Sequence, residues 1–145
     1  MSTINSMSVS ASGMTAQRLR MDIISQNIAN VNTTRDADGN PYRRKMVVFG
    51  EKGASAFDDV MLRTNGIAGN GVKVTQIAED RETEMRRVYD PSSPDADDDG
   101  YVTYPNVNVV QEMTDMIDAS RSFEANVTAF NAGKNMALRG LEIGK

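Results

Sequence analysis

MSVSASGMTAQRLRMDIISQNIANV, from Met7 to Val31, places Met7, Ala11, Met14, Met21, Ile24, Ile28 and Val31 at steps of three, four and seven. Such steps put the apolar side chains on one stripe of a helix. The spacing predicts an α-helix of about 28 residues, about 42 Å long at the α-helical rise. Met7, Met14, Met21 and Ile28 recur at strict heptads, but the alternate seam positions hold Ala11, Arg18 and Ser25. A two-stranded coiled coil on that seam is weak. Ser8, Ser10, Ser12, Gly13, Asn27 and Asn30 also lower the intrinsic helix propensity, so alone in water the segment frays. The run Asn30-Val31-Asn32-Thr33-Thr34 supplies a helix stop and a loop.

The same periodicity returns after Pro105, with Val109, Met113, Met116, Phe123, Val127, Phe130, Ala137 and Leu141 on one stripe. It predicts a second helix of about 34 residues, near 50 Å. Glu112, Asp115 and Asp118 near its start and Lys134, Arg139 and Lys145 near its end suit the helix dipole. Between the helices lie all four prolines and most of the glycines. Strands are predicted at Arg44 to Phe49, Gly71 to Ile77 and Arg86 to Tyr89, with Asn70-Gly71 as a turn before the second. The chain thus reads as α+β: residues 1–34 an N-terminal helix, 35–105 a central β-rich domain with loops, and 106–145 a C-terminal helix. The two terminal helices are expected to pair in a coiled-coil-like unit.

Composition narrows the function. With 145 residues, 39% hydrophobic, and a mean hydropathy of -0.45, the chain fits one domain with a thin core. A net charge of -4 has the wrong sign for nucleic acid or an anionic membrane surface. Cys and His are both absent, which removes disulfides, thiol and imidazole catalysis and the usual zinc ligands. Neither an enzyme nor a cofactor is expected. No cleavable signal pattern opens the chain, and no apolar run approaches the ~20 residues of a membrane span, so direct membrane insertion is not expected.

Asp95-Ala96-Asp97-Asp98-Asp99-Gly100 matches the opening of a calcium-binding EF-hand loop, which makes Asp95, Asp97 and Asp99 the weak metal candidates. The twelfth place is Asn106 rather than Glu, and no helix precedes the run, so a solvated acidic turn is the better reading. Gly66-Ile67-Ala68-Gly69-Asn70-Gly71 lacks the Lys and Ser or Thr of a phosphate loop and reads as a hairpin connection. Arg43-Arg44-Lys45 reads as charge guarding a strand edge, with contact to an acidic neighbour as the alternative. Helices of ~42 and ~50 Å also outrun a 70-residue centre, whose diameter scales to about 25 to 30 Å. Their apolar surface then calls for other copies or other proteins to cover it.

Ser10, Gly13, Met21, Asp22, Asn27, Ile28, Ala29, Asn30 and Thr33 together resemble the N-terminal signature of the flagellar basal-body rod, hook and related axial proteins of bacteria. Arg35 stands where distal-rod and hook members often carry Gly. PYRRK from Pro41, GVKV from Gly71, DADDDGYVTYPNVNVVQEM from Asp95 and SRSFEAN from Ser120 narrow the resemblance to proximal-rod members over nearly the whole chain. Ser92-Ser93-Pro94 departs from them, where many relatives place His before the Pro.

The resemblance implies a structural subunit of the rod within the periplasm, exported through the flagellar type III apparatus without a cleavable signal. Its implied partners are further copies of itself, other rod subunits, and the base of the rod at the membrane ring. It makes the metal reading weaker still. The expected assembly contacts are Met7, Met14, Met21 and Ile28 against Met113, Met116, Phe123, Val127 and Phe130, together with Gly13. Asn27, Asn30 and Asn126 either fix register or merely cap helices and face solvent. The rival classes are an exported soluble effector and a calcium-binding extracellular module with helical arms.

Overall fold

The computed structural model describes residues 3–36, 39–52 and 71–143. In chain order the elements are helix α1 (Thr3–Ala29), strands β1 (Lys45–Glu51), β2 (Val72–Glu79), β3 (Arg86–Tyr89) and β4 (Tyr101–Tyr104), and helix α2 (Val109–Ile143). The fold is α+β, with two long terminal helices and two small antiparallel sheets between them, β1 with β2 and β3 with β4. At 27 and 35 residues the helices run about 40 and 52 Å.

Local chemistry sets the helix ends. Asn30 closes α1: its main-chain N–H and its side-chain amide both reach Gln26 O, at 3.1 and 2.9 Å. Asn108 opens α2, its Oδ1 accepting from the N–H groups of Val110 and Gln111 at 3.0 and 3.4 Å. The helix therefore starts at Val109 and not at Asn106, whose side chain is engaged elsewhere. Strand β4 lies outside the three strands predicted from sequence. Register Tyr89↔Tyr101 closes it onto β3 across a turn in which Gly100, at φ +80, donates to Asp97 O. The Gly-rich connection expected at 66–71 lies outside the described residues except for Gly71.

The helices pack antiparallel. Gly133 lies against Met7, Gly13 against Asn126, and Arg20 bonds Asp115. On α2 Glu112, Met116, Ala119, Phe123, Asn126, Phe130, Gly133 and Ala137 form a line of buried and half-buried positions at alternating steps of four and three, flanked by half-buried Asp115, Ser120, Ser122 and Val127. This seam is one phase away from part of the expected stripe: Met113 is 56% exposed, and Val109 and Leu141 also face outward. On α1 the fully buried positions are Ala16, Ile23, Ile24 and Asn27, while Met7, Met14, Met21 and Ile28 are half-buried.

Because Gly133 sits beside Met7, α2 runs past Thr3 by about 9 Å at the helical rise. Strand β2 is tied to α1 by Val72 N–H, which donates to Ser12 Oγ at 3.0 Å. The close approach requires Gly71, where φ is +96 and a Cβ would collide with Ser12 Oγ. Only Ala16, Ile23, Ile24, Val102 and Ala119 form fully buried apolar core among the described residues. The chain exposes 10115 Å², against about 7,300 Å² expected for a compact monomer of its mass.

Candidate assembly interface

One end of the helix pair is locked by a buried polar cluster. Asn27, 1% exposed, makes four hydrogen bonds. Its amide donates to Lys45 O at 2.8 Å and to Glu112 Oε2 at 2.9 Å, and its Oδ1 accepts from Lys45 N–H and the Tyr42 hydroxyl, both at 2.9 Å. These bonds saturate the carboxamide's two donors and two acceptor lone pairs. Glu112, 0% exposed, receives Arg44 Nε on its other oxygen at 2.6 Å. Arg44 also reaches Asp115 at 3.2 Å, and Arg20 reaches the second Asp115 oxygen at 3.2 Å. Two guanidinium groups thus meet two carboxylates, so the cluster is neutral and each buried charge is paired.

The cluster extends into the strands through the main chain. Arg44 N–H donates to Asn106 Oδ1 at 2.9 Å, while the Asn106 amide donates to Asp80 O at 2.9 Å. Asp80 N–H returns to Arg44 O at 2.8 Å. The Asp80 carboxylate accepts from Thr83 N–H and Oγ1 and from Glu82 N–H, and these bonds, those of Thr83 first, hold it below the usual aspartate range. Burial, reinforced by the negative charges of Glu112 and Glu79, pushes the Tyr42 phenol up. Of the two readings of Arg44, a strand-edge guard or a contact with an acidic neighbour, the structure shows the second: it points inward onto Glu112 and Asp115 of its own chain.

The three asparagines singled out from sequence have three different surroundings. Asn27 joins both helices to β1, and Asn30 caps α1. Asn126 donates to Ser122 O at 2.8 Å with its amide against Gly13, where a Cβ would lie 2.7 Å from Oδ1. Met116, Phe123, Val127 and Phe130 are half-buried along α2.

Two outward apolar groups lie on the helices, besides exposed Met46, Val48 and Ile77 on the β1–β2 sheet and Val88, Tyr89 and Tyr101 on β3 and β4. Ile4, Met136, Leu138 and Leu141 are exposed at the far end of the pair, and Val110, Met113 and Ile117 on the outer side of the start of α2.

The acidic run holds no metal geometry. Asp95 accepts from Thr34 at 2.6 Å and pairs with Arg35 at 3.0 Å; Asp97 pairs with Arg87 at 3.1 Å; Asp99 is exposed. Asp95, Asp97 and Asp99 therefore do not converge, and among the described residues no three potential ligands do. No helix among them is long and apolar enough to cross a membrane.

The ends of the chain match two protein families. Residues 7–35 match that described as flagella basal body rod protein, and residues 98–143 that described as flagellar basal body rod FlgEFG protein C-terminal. Over the full length the chain is 50% identical to the flagellar basal-body rod protein FlgC of Bacillus subtilis, with all of both chains covered. It is 44% identical to FlgC of Borreliella burgdorferi, covering 99% of this chain and 98% of the relative. Identity to FlgC of Escherichia coli O157:H7 is 39%, again with both chains covered in full. The chain belongs to the FlgC family of flagellar basal-body rod proteins, structural subunits of the rod.

Proposed function

We propose that this subunit polymerises with other rod components into an open helical lattice that carries torque from the motor towards the hook, and that it performs no chemistry. In this reading residues 1–34 and 106–145 form the axial unit, while 35–105 form an outer unit that contacts neighbouring subunits. Neighbours are further copies, other rod subunits and the base of the rod at the membrane ring. The subunit reaches the periplasm through the flagellar type III export apparatus without a cleavable signal. Met7, Gly13, Met14, Met21 and Ile28 of α1, with Met116, Phe123, Val127 and Phe130 of α2, bring the pair into the register from which it docks.

The observation that carries this reading is the far end of the pair, where α2 outruns α1 and Ile4, Met136, Leu138 and Leu141 lie open to solvent. A cluster of large apolar side chains at a helix end marks a contact surface. Association there supplies ordering free energy that the Ser-, Gly- and Asn-rich helices lack alone. The match to rod proteins over the whole chain leaves an exported effector without support.

The test is Leu138→Asp combined with Leu141→Asp in cells that lack their own copy. The expected result is loss of swimming and of rods, with the circular dichroism of the purified chain unchanged. Normal swimming would overturn the assignment of this end as an assembly surface.

A further inference from the structure

Val110, Met113 and Ile117 follow one another at steps of three and four on α2, and they are 74%, 56% and 52% exposed. They lie off the seam that faces α1, so the helix pair leaves this stripe bare. Over seven residues it is about 10 Å long. Asp118 is exposed beside it, and α2 carries no cation before Arg121.

Elsewhere on the molecule, a cleft of about 570 Å³ separates α1 from β2. Ala16, Leu19, Val72 and Val74 form its apolar lining; Arg18, Lys52 and Lys73 line it as well, against the single carboxylate of Asp22. Its lining runs along α1 from Ser12 to Asp22, about 15 Å at the helical rise, so it is long enough for the stripe. The cleft can hold the whole stripe, and the two surfaces are alike in apolar character and opposite in charge. This is the arrangement in which an amphipathic helix lays its apolar face in a groove.

We propose that the start of α2 from one copy of this chain docks in the α1–β2 cleft of the next, with Val110, Met113 and Ile117 on the apolar lining and Asp118 towards Lys52 and Lys73. The inference rests on the reading that the chain polymerises. Stripe and cleft lie on different faces, and the stripe cannot enter the cleft of its own chain while α2 holds its seam against α1. The contact is therefore head-to-tail, and a head-to-tail contact that does not close on itself propagates as a helix of subunits.

The chain has no Cys, so introduced thiols report alone. Leu19→Cys and Ile117→Cys are placed singly and together in cells deleted for their own copy, and isolated basal bodies are treated with a short bis-maleimide. The double variant is expected to give a ladder of dimer, trimer and larger species. Co-expressed single variants should stop at dimer, and each single variant alone should remain monomeric. Lys73→Cys with Asp118→Cys, both on exposed positions, should reproduce the pattern if Leu19→Cys disturbs packing.

Rods and swimming without a ladder from either pair would overturn the contact while leaving the rod reading intact. Dimers from a single variant would overturn it in favour of a two-fold interface. A purified monomer whose Leu19→Cys thiol resists a small reagent would mean that the cleft is filled from within the chain, which also overturns it. Swimming that survives deletion of the chain altogether would instead overturn the rod reading.

Discussion

Asn27 and Glu112, 85 positions apart, share a 2.9 Å hydrogen bond with both side chains shut away from water. That bond sets the register of α1 on α2, and the other three bonds of Asn27 fix β1 and Tyr42 to the same point. Asn27→Ala leaves Lys45 N–H and O, the Tyr42 hydroxyl and one Glu112 oxygen short of partners. Unsatisfied buried groups cost about 1–3 kcal/mol each, and partial relaxation keeps the total near ~3 kcal/mol. Urea titration should show this loss, with Asn27→Asp worse still because it sets a second carboxylate beside Glu112.

Arg44 and Glu112 test whether the ion cluster stabilises or merely specifies. Arg44→Met strands a buried carboxylate and should cost about 3–5 kcal/mol. Pairing it with Glu112→Gln removes the stranded charge, so the double variant should lose less than the sum of the singles. A double-mutant cycle by denaturant unfolding measures the coupling; additive losses would mean the pair does not act as a unit.

Sequence reading reached the helices, their lengths and three strand positions, because an apolar period sustained over 27 or 35 residues is a strong signal. It missed the cluster for a physical reason. Arg44, Asn106, Glu112 and Asp115 are polar residues whose side-chain partners lie 23 to 95 positions away, and separation of that kind leaves no local trace. On α2 the expected stripe met the seam at Met116, Phe123, Phe130 and Ala137 but not at Val109, Met113 and Leu141, because the rest of the seam is filled by Ala119, Asn126 and Gly133. Met113, one step off, matched the apolar pattern better than the residues that actually face α1. Strand β4, four residues long between an acidic turn and a proline, carries too few alternations to be read.

Gly13 and Asn126 should couple. Alanine in a helix interior gains up to about 1 kcal/mol over glycine. At Gly13 the added Cβ presses on Asn126 Oδ1, whose amide is held by Ser122 O. Gly13→Ala is expected to destabilise the native chain slightly and to stabilise the Asn126→Ala background. Equal shifts in melting temperature in both backgrounds would contradict the close crossing.

Stability should fall at both ends of the pH scale for identifiable reasons. The Asp80 carboxyl is lowered from 3.8 by folding, so its contribution is complete above that value and is lost as pH falls through the lower folded value. Asp80→Asn should flatten the acid limb of a plot of stability against pH. The Tyr42 phenol is raised from 10.0, so its contribution is complete below that value and is lost as pH rises through the higher folded one. Tyr42→Phe should flatten the alkaline limb, at a cost of about 1 kcal/mol at neutral pH for the missing bond to Asn27.

The helix pair is anchored at the Asn27–Glu112 end and carries exposed Ile4, Met136, Leu138 and Leu141 at the other, the end proposed to order on assembly. Residue-resolved hydrogen exchange, on the purified chain and on assembled rods, tests this most directly. In the isolated chain, amides around Ile23 to Asn27 and Glu112 to Ala119 should be protected, with rapid exchange from Thr3 to Ser10 and from Gly133 to Ile143. In the rod those open-end amides should become protected. Uniform protection of both helices in the isolated chain, unchanged on assembly, would contradict it.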